Sequence, residues 1–583
     1  MSKLDLIKKG LASVKEYGIA STYYRTVNSR RRRDEAVAYM RDTIFSDTER
    51  IRQRGYSFES PKKISVLVPL YNTNKKFLKE MIDSVIEQTY PNWELCLADA
   101  SDSEHGYVEK TVTDYMRIDE RIIYKRLDEN KGISANTNAC ALLAGGDYIA
   151  LLDHDDLLAP NALFEVMKAI SDGADFIYTD EMTFESDILF PTSIHFKPDF
   201  APDNLKSLNY ICHLCVFSKE LFLRAGEFDS MCDGSQDYDM ALRLTDCAEK
   251  IVHIPKVLYY WRSHQGSVSA NLSSKPYCIT SAIDAIEKSV ERSGMSGKAE
   301  KNAKTVSTYR VKYDIKENPK VSVIIVSDGR IKNVEKTLKS IVEKSQFDNY
   351  ELILADTERS SKKYDFTLKK YKDFKDFRVA AVSGRQTKYQ LCNKVAGEAK
   401  GEQLLFINAG CEAHVGGCIR EMLMFSQRDD VGAVGAKILA PNKTIRHAGY
   451  VLGINGGVAS VFFGARYADM GYMYHLCYAQ NYNAVSSECM MIKKSVFEKL
   501  GGFDESYHNS YSDIDLCLRL RDCGYLNVFT PFAEFVSISK DTLQSPQNRR
   551  DRQLFSVKWA DRLSKPDEYY NINLSTQRND FSL

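Results

Sequence analysis

Three carboxylates follow an apolar run in the stretch "GDYIALLDHDDLLAPNALFEV": Asp153, Asp155 and Asp156. Residues two apart on an extended segment point the same way, so Asp153 and Asp155 can both face one hard cation. Mg²⁺ or Mn²⁺ held by one or two carboxylates typically completes its shell with water and substrate phosphates. The competing reading is that these acids cap the helix beginning near Pro160. A second acid group stands in "DGSQDYDMALRL", where Asp237 and Asp239 open an amphipathic helix and a capping role is the default for either. Shortly afterwards "VHIPKVLYYWRSHQGSVS" adds His253, Trp261, Arg262 and His264, the last in a polar loop with an arginine and serines nearby.

Groups so spaced need a frame. "KISVLVPLYN" is a continuous apolar strand ending in a turn, "FLKEMIDSVIEQ" has helical periodicity, "WELCLADASDSE" is a second strand ending in acid, and "DYIALLDHDD" is a third. Apolar strands alternating with amphipathic helices predict an α/β fold with a mostly parallel, Rossmann-like sheet covered on both faces. Ligands of such sheets bind outside the carboxyl ends of the strands. That edge is where Pro69, Tyr71, Asn72 and Asp99 fall, beside the 153–156 acids.

The pattern then repeats. "KVSVIIVSDG" answers "KISVLVPLYN", "YELILADTERSS" answers "WELCLADASDSE", and "SDIDLCLRL" answers "QDYDMALRL". The expected division is a basic helical arm at 1–63, one α/β copy at 64–295, a connection at 296–318, a second copy at 319–540 and a tail at 541–583. Aligning the glycines of "GGDYIALLDHDD" and "KGEQLLFINAGC" sets Asn408 opposite Asp153 and Gly410 opposite Asp155, with Cys411 beside them. Glycine offers no side-chain ligand and thiolate suits Mg²⁺ or Mn²⁺ poorly, so the second copy is expected to lack the metal site. It retains Asp356 at a strand end and Asp513 at the start of a helix, which leaves metal-independent activity as an alternative.

At this point the residues carry a resemblance. The first copy resembles a family 2 glycosyltransferase of the GT-A fold over essentially its whole length. The marks are "VLVPLYN", Asp99, "NKGISANTNA", "LLDHDDLLAPNAL", "DFIYTDE", "FKPDF", "GSQDYDMALR" and "YYWRSHQGS". The whole is similar to tandem bacterial proteins that assemble O-antigen, capsule or other surface polysaccharides. The resemblance implies that Asp99, with Pro69, Tyr71, Asn72 and Gly132, contacts a UDP- or dTDP-sugar donor. It implies that Asp153 and Asp155 hold Mg²⁺ or Mn²⁺ on the diphosphate, that Asp237 is the general base, and that His264 lies near the metal or diphosphate. Gln236 replaces the family's usual Glu and leaves the base in place. One base and one attack imply an inverting hexosyl- or rhamnosyltransferase acting on a lipid-linked or polymeric glycan. The rival readings are a bifunctional enzyme and a non-catalytic glycan-binding scaffold.

Composition fits that class. At 583 residues, the chain is too long for one core, and 44% hydrophobic with 27% charged residues is ordinary for a globular protein. Lys and Arg balance Asp and Glu at 79 each, which gives no sign of nucleic-acid binding. Spanning a bilayer takes roughly 18–20 apolar residues in a row, and neither such a run nor a signal-peptide core occurs. A cytoplasmic location is therefore expected. The arm holds fifteen Lys and Arg against eight Asp and Glu, and Leu4, Ile7, Leu11 and Val14 recur at helical spacing beside lysines. Such a helix suits either peripheral contact with an anionic membrane or packing on the protein body. The fourteen cysteines, including the Cys212/Cys215 pair, are expected to be reduced and mostly buried.

Overall fold

A computed structural model describes residues 3–264, 276–305, 307–357, 376–539 and 543–583. The chain forms two compact units, Thr26–Phe200 with Leu205–Val311, and Met1–Arg25 with Ala201–Asn204 and Lys312–Ser582.

The first unit is built on strands β1 (Ile64–Leu70), β2 (Trp93–Asp99), β3 (Ile122–Arg126), β4 (Tyr148–Leu151), β5 (Leu157–Leu158), β6 (Phe176–Phe184), β7 (Ser193–His195), β8 (Cys215–Ser218) and β9 (Ile251–Arg262). Their order is β3-β2-β1-β4-β8-β6-β9-β5, with β7 on β6. Among the described residues six of the nine run one way, and only β5, β7 and β8 oppose them. Every residue of β1 and β2 is buried, without alternation, because helices cover both faces. The helix Lys75–Ile86 buries Leu78, Met81, Ile82 and Val85, one helical stripe, against that sheet.

The end of the basic arm is part of this body. Its helix spans Lys3–Asp42, with Ala36 and Met40 buried and Tyr39 edge-on to Phe196 at 5.1 Å. In the next helix, Asp47–Arg54, Gln53 is buried and accepts a 2.7 Å bond from Thr89. Between the copies, Gly297–Lys301 and Tyr309–Tyr313 pair as a two-stranded sheet. No helix among the described residues is long and apolar enough to cross a membrane.

The second unit repeats the plan on a ten-stranded sheet. Val321–Val326, Tyr350–Thr357, Phe377–Val382 and Gln403–Asn408 form its parallel half. Ile64 faces Tyr148 in the first sheet and Val321 faces Gln403 in the second, so Asp153 corresponds to Asn408 and Asp155 to Gly410. Hydrogen-bonded register therefore agrees with the alignment of the two glycines. The tail belongs to this unit. Asp551 is buried and accepts from the backbone N–H groups of His508, Asn509 and Ser510 at 3.0, 2.7 and 3.1 Å, and Phe581 stacks on Phe462 and Tyr472.

Candidate active site

At the carboxyl ends of β1 and β2, Leu70 lies opposite Asp99. Pro69 is buried within β1, and Tyr71 stands exposed just beyond it. Asn72 turns the chain with a φ of +51°. Its side chain donates to Asp102 (2.8 Å) and accepts from the Asp102 N–H (3.0 Å), which ties the two strand-end loops together. Asp99 is completely buried, and its carboxylate accepts from Ser101 N–H, Tyr124 Oη and Arg126 Nη1 at 2.8, 2.8 and 2.7 Å. The Arg126 head, one-third exposed, thus carries the charge that Asp99 anchors. Gly132 begins the helix Ile133–Ala141 at a φ of +97°, where any Cβ would strike the Asp233 carboxylate.

The acid loop beyond β4 sorts its three carboxylates. Asp156 is buried and structural, accepting from Tyr259 Oη (2.7 Å) and Arg262 N–H (2.6 Å). Arg262 clamps the loop further through the Asp155 carbonyl and Glu80, each at 2.7 Å. The Asp153 and Asp155 carboxylates face histidines instead, and none of the three caps the next helix, Ala162–Ser171, which has no side-chain cap. His264 Nε2 lies 2.7 Å from Asp155 Oδ2. Burial, with Asp155 adding to it, raises the pKa of Asp153 even though its side chain opens to solvent on one side; burial and both neighbouring acids raise that of Asp156. Hard oxygens with excess negative charge fit a divalent cation. Among the described residues no three His, Cys, Asp or Glu side chains enclose a metal-sized point, so the cation would draw its other ligands from water and substrate.

Sequence reasoning missed His213. Its Nε2 lies 3.5 Å from Asp153 and its ring stacks on Tyr259, with Trp261 at its edge. Burial disfavours the imidazolium, but Glu181, Asp153 and Asp156 outweigh burial and lift the pKa to about 9. Buried Lys197 holds this group together, donating to Glu181 at 3.1 Å and to the carbonyl oxygens of Ile211 (2.9 Å) and His213 (2.5 Å). "YTDE" and "FKPDF" contain Glu181 and Lys197, but only the folded sheet shows that they meet. His253 is a buried bridge between Asp180 (2.9 Å) and Asp199 (3.1 Å).

Asp237 begins the helix Gln236–Cys247 without capping it. Among the described residues its carboxylate accepts one bond, 3.0 Å from the Gln236 amide. Burial, reinforced by Asp153 and opposed by His213, raises its pKa to about 6. A carboxylate so poised is mostly ionised at neutral pH yet basic enough to take a proton. Asp239, by contrast, is buried and locked to Arg243 at 2.7 Å.

The sequence profile of glycosyl transferase family 2 matches residues 65–225 and again 322–501, more than half of the chain. The chain belongs to glycosyl transferase family 2. An uncharacterized protein of Sinorhizobium fredii, y4gI, is 37% identical over 89% of this chain and 58% of its own length. The O-antigen biosynthesis protein RfbC of Myxococcus xanthus is 29% identical over 89% of this chain and 41% of its own length. A chondroitin synthase of Escherichia coli is 26% identical over 34% of this chain and 28% of its own length. The chain spans about half the length of the first two curated relatives it matches.

In this family 2 chain the second copy uses the same positions differently. Tyr148 faces Ser218 and Gln403 faces Lys493, so Ser487 corresponds to Cys212 and Glu488 to His213. Ser487 donates to Asp513 through both N–H (2.8 Å) and Oγ (2.9 Å), and the Ile514 N–H takes the other oxygen at 3.0 Å. Cys212 makes no such bond to the Asp237 carboxylate; its thiol lies 3.9 Å from the Asp237 carbonyl. Glu488 pairs with Arg446 at 2.8 Å. Gly410 sits at a φ of +87°, where a Cβ would lie 2.7 Å from Ile538, so no carboxylate fits there. All fourteen cysteines are free thiols, eleven of them buried.

Proposed function

We propose that the first copy transfers a sugar, with inversion, from a nucleotide-sugar donor to a growing bacterial surface glycan at the cytoplasmic face of the membrane. The observation that carries this reading is Asp237: one neighbouring amide as its partner, a pKa raised to about 6, and the Asp153–His213 pair acting on its charge. Asp237 removes the proton from an acceptor hydroxyl as that oxygen attacks the anomeric carbon, and the bond from that carbon to the nucleoside diphosphate breaks on the opposite face. Asp153 and Asp155 would hold Mg²⁺ or Mn²⁺, whose Lewis acidity neutralises charge on the departing diphosphate. His264 orients Asp155, and the positive charge of His213 is held against Asp153. Pro69, Tyr71, Asn72 and Gly132 shape the donor edge, and Asp99 fixes Arg126 there. The name of the Myxococcus relative supports the glycan class; a UDP- or dTDP-hexose or rhamnose as donor and a lipid-linked or polymeric acceptor complete the proposal.

A donor panel scored by nucleoside diphosphate release tests the reading. Asp237→Asn should cut turnover by about 10²–10⁴-fold while donor affinity is kept. Asp155→Ala should abolish the metal-dependent part of donor binding. Retained anomeric configuration in the product, or near wild-type turnover of Asp237→Asn, would overturn it.

A further inference from the structure

The second copy has its own strand-end cavity of about 730 Å³, within the range of small-ligand sites. Among the described residues two acceptors in its wall are unsatisfied. Asp356 is 4% exposed, and its Oδ1 accepts from Thr357 N–H at 2.6 Å while Oδ2 has no hydrogen-bond partner there. Asn408 Oδ1 is likewise buried and unpartnered. Strand register explains the first vacancy. In the first copy Leu97 and Asp99 lie opposite Tyr124 and Arg126, the groups that bind Asp99; in the second, Leu354 and Asp356 lie opposite Val379 and Ala381. Neither replacement can donate a hydrogen bond from its side chain.

A buried acceptor left unpaired is costly, and two that line one cavity call for a ligand rich in donors. Among the described residues that line it the formal charges cancel, Asp328 and Asp356 against Arg330 and Lys388. Lys388 is engaged with Ser487 Oγ at 3.0 Å. A nucleoside diphosphate would bring excess negative charge to a balanced wall in which Asn408 and Gly410 replace the paired carboxylates of the first copy. A sugar brings hydroxyl donors without charge, and the Asn408 amide can donate back to its oxygens.

We infer that this cavity binds an uncharged sugar residue through Asp356 and Asn408, holding glycan rather than nucleotide-linked donor. The chemistry of the wall stands apart from the proposed reaction of the first copy.

The test uses the full chain with chelator present and with Asp153→Asn and Asp155→Asn introduced, which removes the metal-dependent donor site from the readout. Saturation-transfer NMR would be recorded with glucose, galactose, mannose, rhamnose and N-acetylglucosamine at millimolar concentration, and separately with UDP, GDP and dTDP. At least one sugar should receive magnetisation, and its affinity should fall about tenfold in Asp356→Asn and again in Asn408→Leu, as expected for losing a hydrogen bond to a charged group. The Asn variant keeps the side-chain shape, so a loss confined to Asn408→Leu would not support the assignment. It is overturned if no sugar contact depends on Asp356, or if a nucleotide contact does.

Discussion

Asp237 and Asp513 hold one helix position in two copies, and the residue facing each carboxylate separates them. Ser487 gives one Asp513 oxygen two hydrogen bonds, while among the described residues Cys212 leaves the Asp237 carboxylate with Gln236 alone. A pKa raised to about 6 sets the sign of a pH dependence. In the proposed reaction Asp237 must be ionised to act as base, so turnover should rise with pH through about 6 and level off above it. Gln236→Glu would place a second negative charge beside Asp237, remove its hydrogen-bond donor, and move that acid limb to higher pH; an unmoved limb in a pH–kcat series would show that another group titrates. The paired acids and their loss at Asn408 and Gly410 were legible in the sequence, because both follow from spacing along single strands. His213, Glu181 and Lys197 were not. They converge from three different segments, and each alone reads as an ordinary polar residue.

At the scale of elements, the strands and helices of both copies were readable because their apolar stripes have the periods of buried structure. Places where polar backbone is satisfied by a distant side chain left no trace in local pattern. "QNRRDRQLF" lies in the stretch 541–583 set apart as a tail, yet its Asp551 closes the turn at 508–510 by accepting three backbone N–H bonds. Asp551→Ala would take from those donors their shared carboxylate acceptor. Hydrogen bonds to charged groups are worth about 1.5–3 kcal/mol each, and because His508 and Asn509 are exposed and can turn to water the second unit should lose only about 3 kcal/mol, measured as a lowered midpoint in denaturant unfolding. An unchanged midpoint would mean that water replaces the carboxylate completely. The connection at 296–318 likewise looked like polar linker, but Gly297–Lys301 and Tyr309–Tyr313 pair there as strands.

For the whole molecule, the proposed reaction at one copy predicts one sugar per catalytic cycle. Asp513→Asn should leave transfer near wild type, since its carboxylate is already committed to Ser487, and mass analysis of products should show the same single addition before and after the change. Loss of a second sugar in that variant would instead establish a bifunctional enzyme. The clasp made by Asp551 and Phe581 also has a bearing on biosynthesis. A ribosome releases the chain in order, and domains close as their last necessary segment emerges. The second copy begins near residue 319, but its turn at 508–510 and its aromatic stack around Phe462 wait for residues beyond 550. Translation arrested anywhere in that interval would leave a nascent second copy open, and such fragments are ready substrates for chaperones and proteases.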